Sequence, residues 1–455
     1  MTTLERPSGL DRALRLFADV RPGEGLLAVL LALNVFLILT TYYILKPVRE
    51  ALILGQGSPE LKTYLSVGQV ALLSVAVPYY GRLAARLHRG ALLSVVTYFF
   101  AACLVAFYVL GRIGLPIGIP YFLWIGIFNL MIVSQFWSFA NDLYSREEGE
   151  RLFPVVGFGA SLGAVLGAVI AGRLIRPFGI YQLLLLGAVL LVAQLQITKY
   201  IDNSTSEHED ARKPVAKSSS PDQAETHTNA FALVFRTPYL LLIAFMLLLN
   251  ATVDATGEYI LGSIVTDAAQ ARVAAGNSGG LGVEAMIGTF YSRYFALINI
   301  TSVLLQLFVV SRVVKHLGVS KAVVILPTLS LLAYNVLAFV PGLFVVLWAK
   351  VAEKGTDYSL SNTLRNMLFL PCTREEKYSA KQAIDSFFFR MGDVLSAAIV
   401  FAGTHIGLTS TGFAKLNVLL AAAFLTLAVL VGRAYVGRTS MRSTAVRAGA
   451  KPVTA

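Results

Sequence analysis

Charge is scarce in this 455-residue chain: Asp, Glu, Lys and Arg together make up 14% of it, against 56% hydrophobic residues. An ordinary soluble protein carries about 25% charged residues. Folding cannot hide such an excess of apolar surface, because even large soluble domains keep a mixed exterior. With a mean hydropathy of +0.68, the composition excludes a water-soluble enzyme and a disordered chain. It indicates a protein that crosses a membrane many times. Cysteine is almost absent: Cys103 and Cys372 are the two, at no metal-ligand spacing and in no disulfide framework. The five histidines, His88, His208, His227, His316 and His405, are scattered through loops and segment ends. HExxH, Walker A and Rossmann glycine patterns are missing. Metal and nucleophilic catalysis have no support here, and neither an enzymatic activity nor a cofactor is expected.

What is present is a series of apolar runs. A bilayer-spanning helix needs about 20 apolar residues. Twelve candidates fall at 25–45, 63–84, 91–111, 119–141, 153–174, 178–198, 238–262, 287–310, 319–340, 342–363, 381–403 and 413–436. The first is no cleavable signal peptide, since Lys46-Pro47-Val48-Arg49 follows it where a small-residue cleavage site would stand. Upstream, Leu10, Leu14 and Phe17 share one helical face away from Arg12, Arg15 and Asp19, which predicts a surface amphipathic helix within residues 1–24. Residues 25–198 and 238–436 then form two six-helix halves. They are joined by a polar, Ser- and Asp-rich cytoplasmic linker at 199–237 and followed by a basic cytoplasmic tail at 437–455. The sequon Asn203-Ser204-Thr205 lies in that linker and reads as a chance match.

Orientation follows from the basic residues. With the N-terminus inside, Arg12, Arg15, Arg21, Arg82, Arg86, Arg89, Lys199, Arg236, Arg312, Lys315, Arg433 and Arg438 all face the cytoplasm. They outnumber the residues of the opposite side, such as Lys46, Arg49, Lys62, Arg112, Arg173 and Arg272. Both termini are therefore expected in the cytoplasm, and a bacterial-type cytoplasmic membrane is the expected location. The net charge of +12 is mostly this bias, so no nucleic-acid partner is inferred.

The two halves repeat each other. Asn34 precedes Tyr43-Ile44-Leu45 by the same steps as Asn250 precedes Tyr259-Ile260-Leu261. Arg82-Leu83-Ala84-Ala85-Arg86-Leu87 is matched by Arg312-Val313-Val314-Lys315-His316-Leu317, and Ser145-Arg146-Glu147-Glu148 by Thr373-Arg374-Glu375-Glu376. Gly163-Ala164-Val165-Leu166 is echoed by Gly392-Asp393-Val394-Leu395. Four matches in order, at offsets of roughly 215–230, indicate a parallel duplication of the kind found in the major facilitator fold. The loop Gly81-Arg82-Leu83-Ala84-Ala85-Arg86-Leu87-His88-Arg89 resembles that superfamily's cytoplasmic motif, with Ala85 in place of its usual acid. The resemblance implies a gating role for Arg82 and Arg86, with Arg312 as their counterpart; a plain topogenic basic loop is the alternative. Gly159, Gly163 and Gly167 recur every four residues and predict close helix packing.

Charges inside the spans are few and segregated. An ionisable side chain in hydrocarbon costs about 2.5–3.5 kcal/mol on insertion scales, so it faces a cavity or a partner. Lys46, Arg49 and Glu50 end the first span; Asp254 and Glu258 share a face of the seventh; Arg293 lies in the eighth. Lys350, Glu353, Lys354 and Asp357 mark the tenth with Arg365 beyond it, and Asp385, Arg390 and Asp393 the eleventh. Spans three, six, nine and twelve carry charge only near their ends. A polar central path follows, in which Arg and Lys would bind an anion and the acids would balance the empty site or carry a proton. Structural pairing of Lys350 with Glu353 and of Lys354 with Asp357, three residues apart, is the alternative for that cluster.

Several islands resemble the ATP/ADP translocase-type nucleotide transporters of plastids and intracellular bacteria. They are Tyr43-Ile44-Leu45-Lys46-Pro47-Val48-Arg49-Glu50-Ala51-Leu52, then Phe136-Trp137-Ser138-Phe139-Ala140-Asn141 with Arg151-Leu152-Phe153-Pro154 and Gly157-Phe158-Gly159-Ala160. A further island comprises Tyr358-Ser359-Leu360, Arg365, Met367, Pro371, Lys381 and Ala383-Ile384-Asp385. The resemblance implies exchange of nucleotides such as ATP and ADP. It places the family's first-span lysine at Arg49 beside Lys46, its seventh-span glutamate at Asp254 and its tenth-span lysine at Arg365. The fourth-span glutamate has no counterpart: apolar residues near Ile125 stand there, with Asn129 the nearest polar group.

The expected protein is an all-α membrane protein of twelve transmembrane helices in two pseudo-symmetric six-helix halves. It would work as a monomer in the lipid bilayer, moving a small anionic, phosphorylated solute by alternating access. Lys46, Arg49, Asp254, Glu258, Arg293, Lys354, Arg365 and Arg390 are the substrate-site candidates. Proton-coupled transport of an unrelated molecule, with Asp254 and Glu258 carrying the proton, and a non-transporting sensor or scaffold are the alternatives.

Overall fold

The computed structural model describes residues 9–15, 19–209, 230–373 and 376–447. Among these every regular element is helical. After the short α1 (Gly9–Leu14) come α2 (Gly25–Gln56), α3 (Pro59–Arg86), α4 (Arg89–Arg112), α5 (Gly118–Leu143), α6 (Arg146–Phe178) and α7 (Gln182–Glu209). Beyond the undescribed 210–229 follow α8 (Ala230–Arg236), α9 (Pro238–Ala274), α10 (Val283–Leu305), α11 (Ser311–Ala322), α12 (Ile325–Phe339) and α13 (Leu343–Thr356). The chain ends with α14 (Asn362–Leu368), α15 (Lys381–Ala383), α16 (Phe389–His405) and α17 (Ser410–Arg447). Four π-helical turns, Gln306–Val310, Asp357–Ser361, Glu376–Ala380 and Ile384–Phe388, are inserted in the run from α10 to α16.

Among the described residues, ten helices are long and apolar enough to cross a membrane. The first eight expected spans are among them, as are the eleventh and twelfth. The ninth is a shorter apolar helix, Ile325–Phe339. The tenth is too charged to qualify: Lys350, Glu353 and Lys354 lie on α13, and a π turn then interrupts it. Side chains such as Val75, Phe339 and Phe344 are over 70% exposed, which a bilayer tolerates and water would not. The interval expected as a linker begins as helix, since α7 runs on to Glu209. Residues 210–229 of that linker, Phe17 of the N-terminal face, Arg374-Glu375 of the repeat and 448–455 of the tail lie outside the described residues.

Two compact units divide the chain. The first comprises the described residues of Met1–Gly57, Ala71–Ser219 and Arg272–Ala296; the second those of Ser58–Val70, Ser220–Ala271 and Leu297–Ala455. In the first unit the glycine row of α6 lies against the α2 backbone. A Cβ on Gly159, Gly163 or Gly167 would sit 2.4 Å from the carbonyl oxygens of Ala32, Phe36 and Thr40 respectively. The core beside it is aromatic: Trp124 stacks between Tyr121 and Phe128, with Phe100 edge-on.

The second unit repeats the device, since a Cβ on Gly392 would lie 2.7 Å from the carbonyl oxygen of Leu248 on α9. The repeated Ser/Thr-Arg-Glu-Glu motif proves to be a capping box in each unit. Ser145 and Glu148 exchange hydrogen bonds between side chain and backbone N–H at the start of α6. Thr373 and Glu376 do the same at 2.8 and 3.3 Å, so both orphan donors at each helix start are satisfied.

The segment before α2 is tied down by polar contacts within the first unit. Buried Asp11 accepts from the Gly23 and Gly25 amides. Glu24 receives Arg151 through both carboxylate oxygens, at 2.8 and 2.9 Å.

Candidate functional site

The second unit buries a four-charge network between α9 and α13. Lys350 is 1% exposed, and its ammonium donates to Asp254 Oδ1 at 3.1 Å, to the Asp254 carbonyl at 3.4 Å and to Glu353 Oε2 at 2.7 Å. Glu353 is saturated from α12, where Ser330 and Tyr334 donate their hydroxyls at 2.8 and 3.0 Å. The other Asp254 oxygen accepts from Lys354 at 2.5 Å. Two lysines thus converge on one aspartate, and a second acid completes the balance, as buried charges require. Gly257 makes room for this: a Cβ there would meet the Tyr334 hydroxyl at 1.8 Å and the Lys350 ammonium at 2.9 Å.

Lys354 also lies 5.5 Å from the centroid of the Tyr358 ring, and Tyr358 lines a cavity of about 330 Å³. Asn250, Asp357, Asn362, Arg365 and Phe389 are further walls of it. The π turn Asp357–Ser361 forms one side, in keeping with the frequency of π turns at functional sites. Asn250 donates to Asp357 at 3.4 Å, and Arg365 donates to Asn362 at 3.3 Å with its guanidinium 5.8 Å from the Phe389 centroid. Asp385 stands 3.9 Å from Arg365 Nε, and its Oδ1 is buried without a hydrogen bond. Chemically the cavity offers a guanidinium, two amides, a carboxylate and two aromatic rings, and the Lys354 ammonium lies over one of those rings.

The sequence-derived candidates separate accordingly. Asp254, Lys354 and Arg365 come together around the network and the cavity. Glu258 is displaced from that cluster toward Lys62, at 3.7 Å, next to a hydrogen bond from Tyr259 to Glu60. Arg390 forms a local pair with Asp393 at 3.4 Å. Of the two pairs proposed from spacing, Lys350 with Glu353 is formed. Lys354 with Asp357 is not, because the wider turn beginning at Asp357 takes its carboxyl to Asn250.

The remaining candidates belong to the first unit, except Arg312, which is in the second. The Lys46 ammonium lies among rings, 4.2 Å from the Phe295 centroid and 5.2 Å from that of Tyr43. Arg49 pairs with the buried Glu50 beside it and covers Phe122. Arg293 is exposed on α10. Arg82 and Arg86 are exposed on α3, and Arg312 donates to the carbonyl of Phe308, one turn back on its own helix. Ile125 is 1% exposed within the aromatic core, so the missing fourth-span acid would have no polar surroundings there.

Sequence reasoning overlooked Tyr334, Ser330, Asn362, Phe389 and Gly257, which carry no charge. Their only signal was proximity in sequence to charged neighbours, and for Asn250 its place in the repeat.

No family model matches the chain. It is 23% identical over 360 residues to an ADP,ATP carrier protein of Chlamydia pneumoniae, covering 70% of this chain and 67% of that one. It is 22% identical over 300 residues to the corresponding carrier of Chlamydia muridarum, covering 58% and 54%. The chain thus spans between half and two thirds of these relatives. Among solved structures, a bacterial homologue of the iron transporter ferroportin in an inward-facing state superposes with a TM-score of 0.63 at 14% identity, covering 90% of this chain and 98% of the other. The nucleoside transporter NupG gives 0.60 at 14% identity, covering 90% and 99%. The chain is therefore a multi-span membrane protein that shares its fold with these solved transporters and is distantly similar in sequence to ADP,ATP carrier proteins of Chlamydia.

Proposed function

We propose that this protein carries an anionic, phosphorylated solute across the cytoplasmic membrane by alternating access, with nucleotides such as ATP and ADP as its substrates. Both termini would face the cytoplasm. The observation that carries the reading is a cavity in the second unit lined by Arg365, Tyr358 and Phe389, with the Lys354 ammonium next to the Tyr358 ring. Arginine suits bidentate contact with a phosphate and lysine a single strong one. Tyr358 and Phe389 offer faces on which a planar base can stack. Lys46, Arg49 and Arg293 are separate candidate cationic groups within the first unit.

The alternative of proton coupling through Asp254 and Glu258 finds less support, since each carboxylate is held by lysine. The test is thermal stabilisation of the purified protein by ATP, ADP, sugar phosphates and carboxylates, followed by uptake into liposomes loaded with nucleotide. A ligand of the folded state at 100 times its Kd stabilises by about 2.7 kcal/mol. Stabilisation by nucleotides, lost in Arg365→Gln, is expected. A response to another anion alone would leave the carrier and remove the nucleotide.

A further inference from the structure

We infer that Asp254 is a displaceable counter-ion: it occupies Lys354 while the site is empty, and an incoming phosphate takes that lysine over. The inference rests on the carrier reading above and goes beyond it by assigning different tasks to the two lysines that share one aspartate.

The geometry is asymmetric. Lys350 is 1% exposed and has three acceptors, one of them the Glu353 carboxylate that Ser330 and Tyr334 hold in place. Nothing can reach it without dismantling the contact between α12 and α13. Lys354 is 13% exposed, and Asp254 beside it 23%. Among the described residues the one hydrogen-bond acceptor of Lys354 is Asp254 Oδ2. Its other neighbour is the Tyr358 ring, which forms part of the cavity wall. In this inference Lys354 turns about its flexible stem, past the Tyr358 ring, to meet an anion held by Arg365 in the cavity.

Asp254 can release Lys354 because it does not depend on it. Its Oδ1 keeps the Lys350 ammonium at 3.1 Å, so the carboxylate is never left buried and uncompensated, which is the costly outcome for such groups. Lys354 in turn exchanges one charge-assisted hydrogen bond for another. When the anion leaves, Asp254 takes the lysine back, and the empty site is neutral over these four groups: two lysines, one aspartate, one glutamate.

The test is the affinity of purified protein for ATP and for pyrophosphate, measured by calorimetry and melting temperature in wild type, Asp254→Asn, Lys354→Gln and Lys350→Gln. Removing a competing counter-ion strengthens binding of the ligand it competes with. Asp254→Asn is therefore expected to bind both probes roughly tenfold more tightly than wild type, and Lys354→Gln at least tenfold more weakly, with a melting temperature near that of wild type. In the double variant the weak binding of Lys354→Gln should prevail. Lys350→Gln is expected to melt well below wild type. This contrast between the two lysines keeps the inference testable if Asp254→Asn does not fold. Weaker binding in Asp254→Asn would overturn it, showing that Asp254 positions Lys354 for the ligand. So would equal effects of the two lysine variants on affinity. If wild type binds neither probe, the carrier reading falls with it; if wild type binds and Asp254→Asn is no tighter, this inference alone falls.

Discussion

Gly257 decides more about the buried network than any charged residue in it. Its missing side chain is the space occupied by the Tyr334 hydroxyl and approached by the Lys350 ammonium. Gly257→Ala should lower the melting temperature by an amount corresponding to roughly 1–3 kcal/mol, the usual cost of overpacking. Adding Tyr334→Phe removes the clashing oxygen and should recover part of that loss, although Tyr334→Phe alone is destabilising. A double-mutant cycle on melting temperatures reads this coupling directly. At this scale legibility from sequence followed distance along the chain. The pairing of Lys350 with Glu353 could be read from a spacing of three on one helix. The bond between Lys354 and Asp254 joins α13 to α9 across about a hundred residues, and no local pattern announces it.

A second residue-scale expectation concerns the segment before α2. The Arg151 guanidinium holds the Glu24 carboxyl below its ordinary value, against the opposing effect of burial. A carboxylate with a depressed pKa in the folded state stabilises fully above its unfolded value and loses that contribution as pH falls through the folded one. Proteolysis of the segment around Arg15 to Glu24 should therefore accelerate as pH drops below the ordinary glutamate range. Glu24→Gln should be cleaved faster at neutral pH and respond less to acid.

Among the elements, the capping boxes and the π turns show what a sequence does and does not display. Ser145 with Glu148, and Thr373 with Glu376, were visible as a repeated string, and the structure gives the string its physical reason. Ser145→Ala removes an acceptor for a helix-start amide and should cost about 1 kcal/mol, read as a lowered melting temperature with transport retained. The π turns left no trace in the apolar pattern, because a single i→i+5 turn shifts the periodicity by less than one residue per turn. The apolar pattern therefore predicts a tenth span that is one plain helix ending at 363. In the structure the helical run passes through a π turn and continues to Leu368, which brings Arg365 inside it.

For the whole molecule, the helical class and the membrane setting are legible, since both rest on composition and on long apolar runs. The number of spans was less so. Among the described residues ten helices meet the requirements of length and apolarity, and the tenth expected span fails them because it carries the charges of the proposed site. A carrier whose empty site is neutral can return empty. In liposomes, wild type should therefore show nucleotide uptake without internal nucleotide, and Asp254→Asn should lose this net uptake while still exchanging labelled for unlabelled ATP. Equal loss of both modes in Asp254→Asn would separate the aspartate from charge balance.

The glycine row of α6 sets a mechanical condition on any such cycle. Three bare Cα positions face three carbonyls of α2 one turn apart, like teeth in a rack. Advancing α6 along its own helical path by one residue, a rise of about 1.5 Å with a turn of about 100°, would bring Ala160, Ala164 and Ala168 to those carbonyls, where even a methyl group has no room. The two helices are thus geared together without clearance, and whatever motion opens this protein must carry α2 and α6 as a single rigid lever.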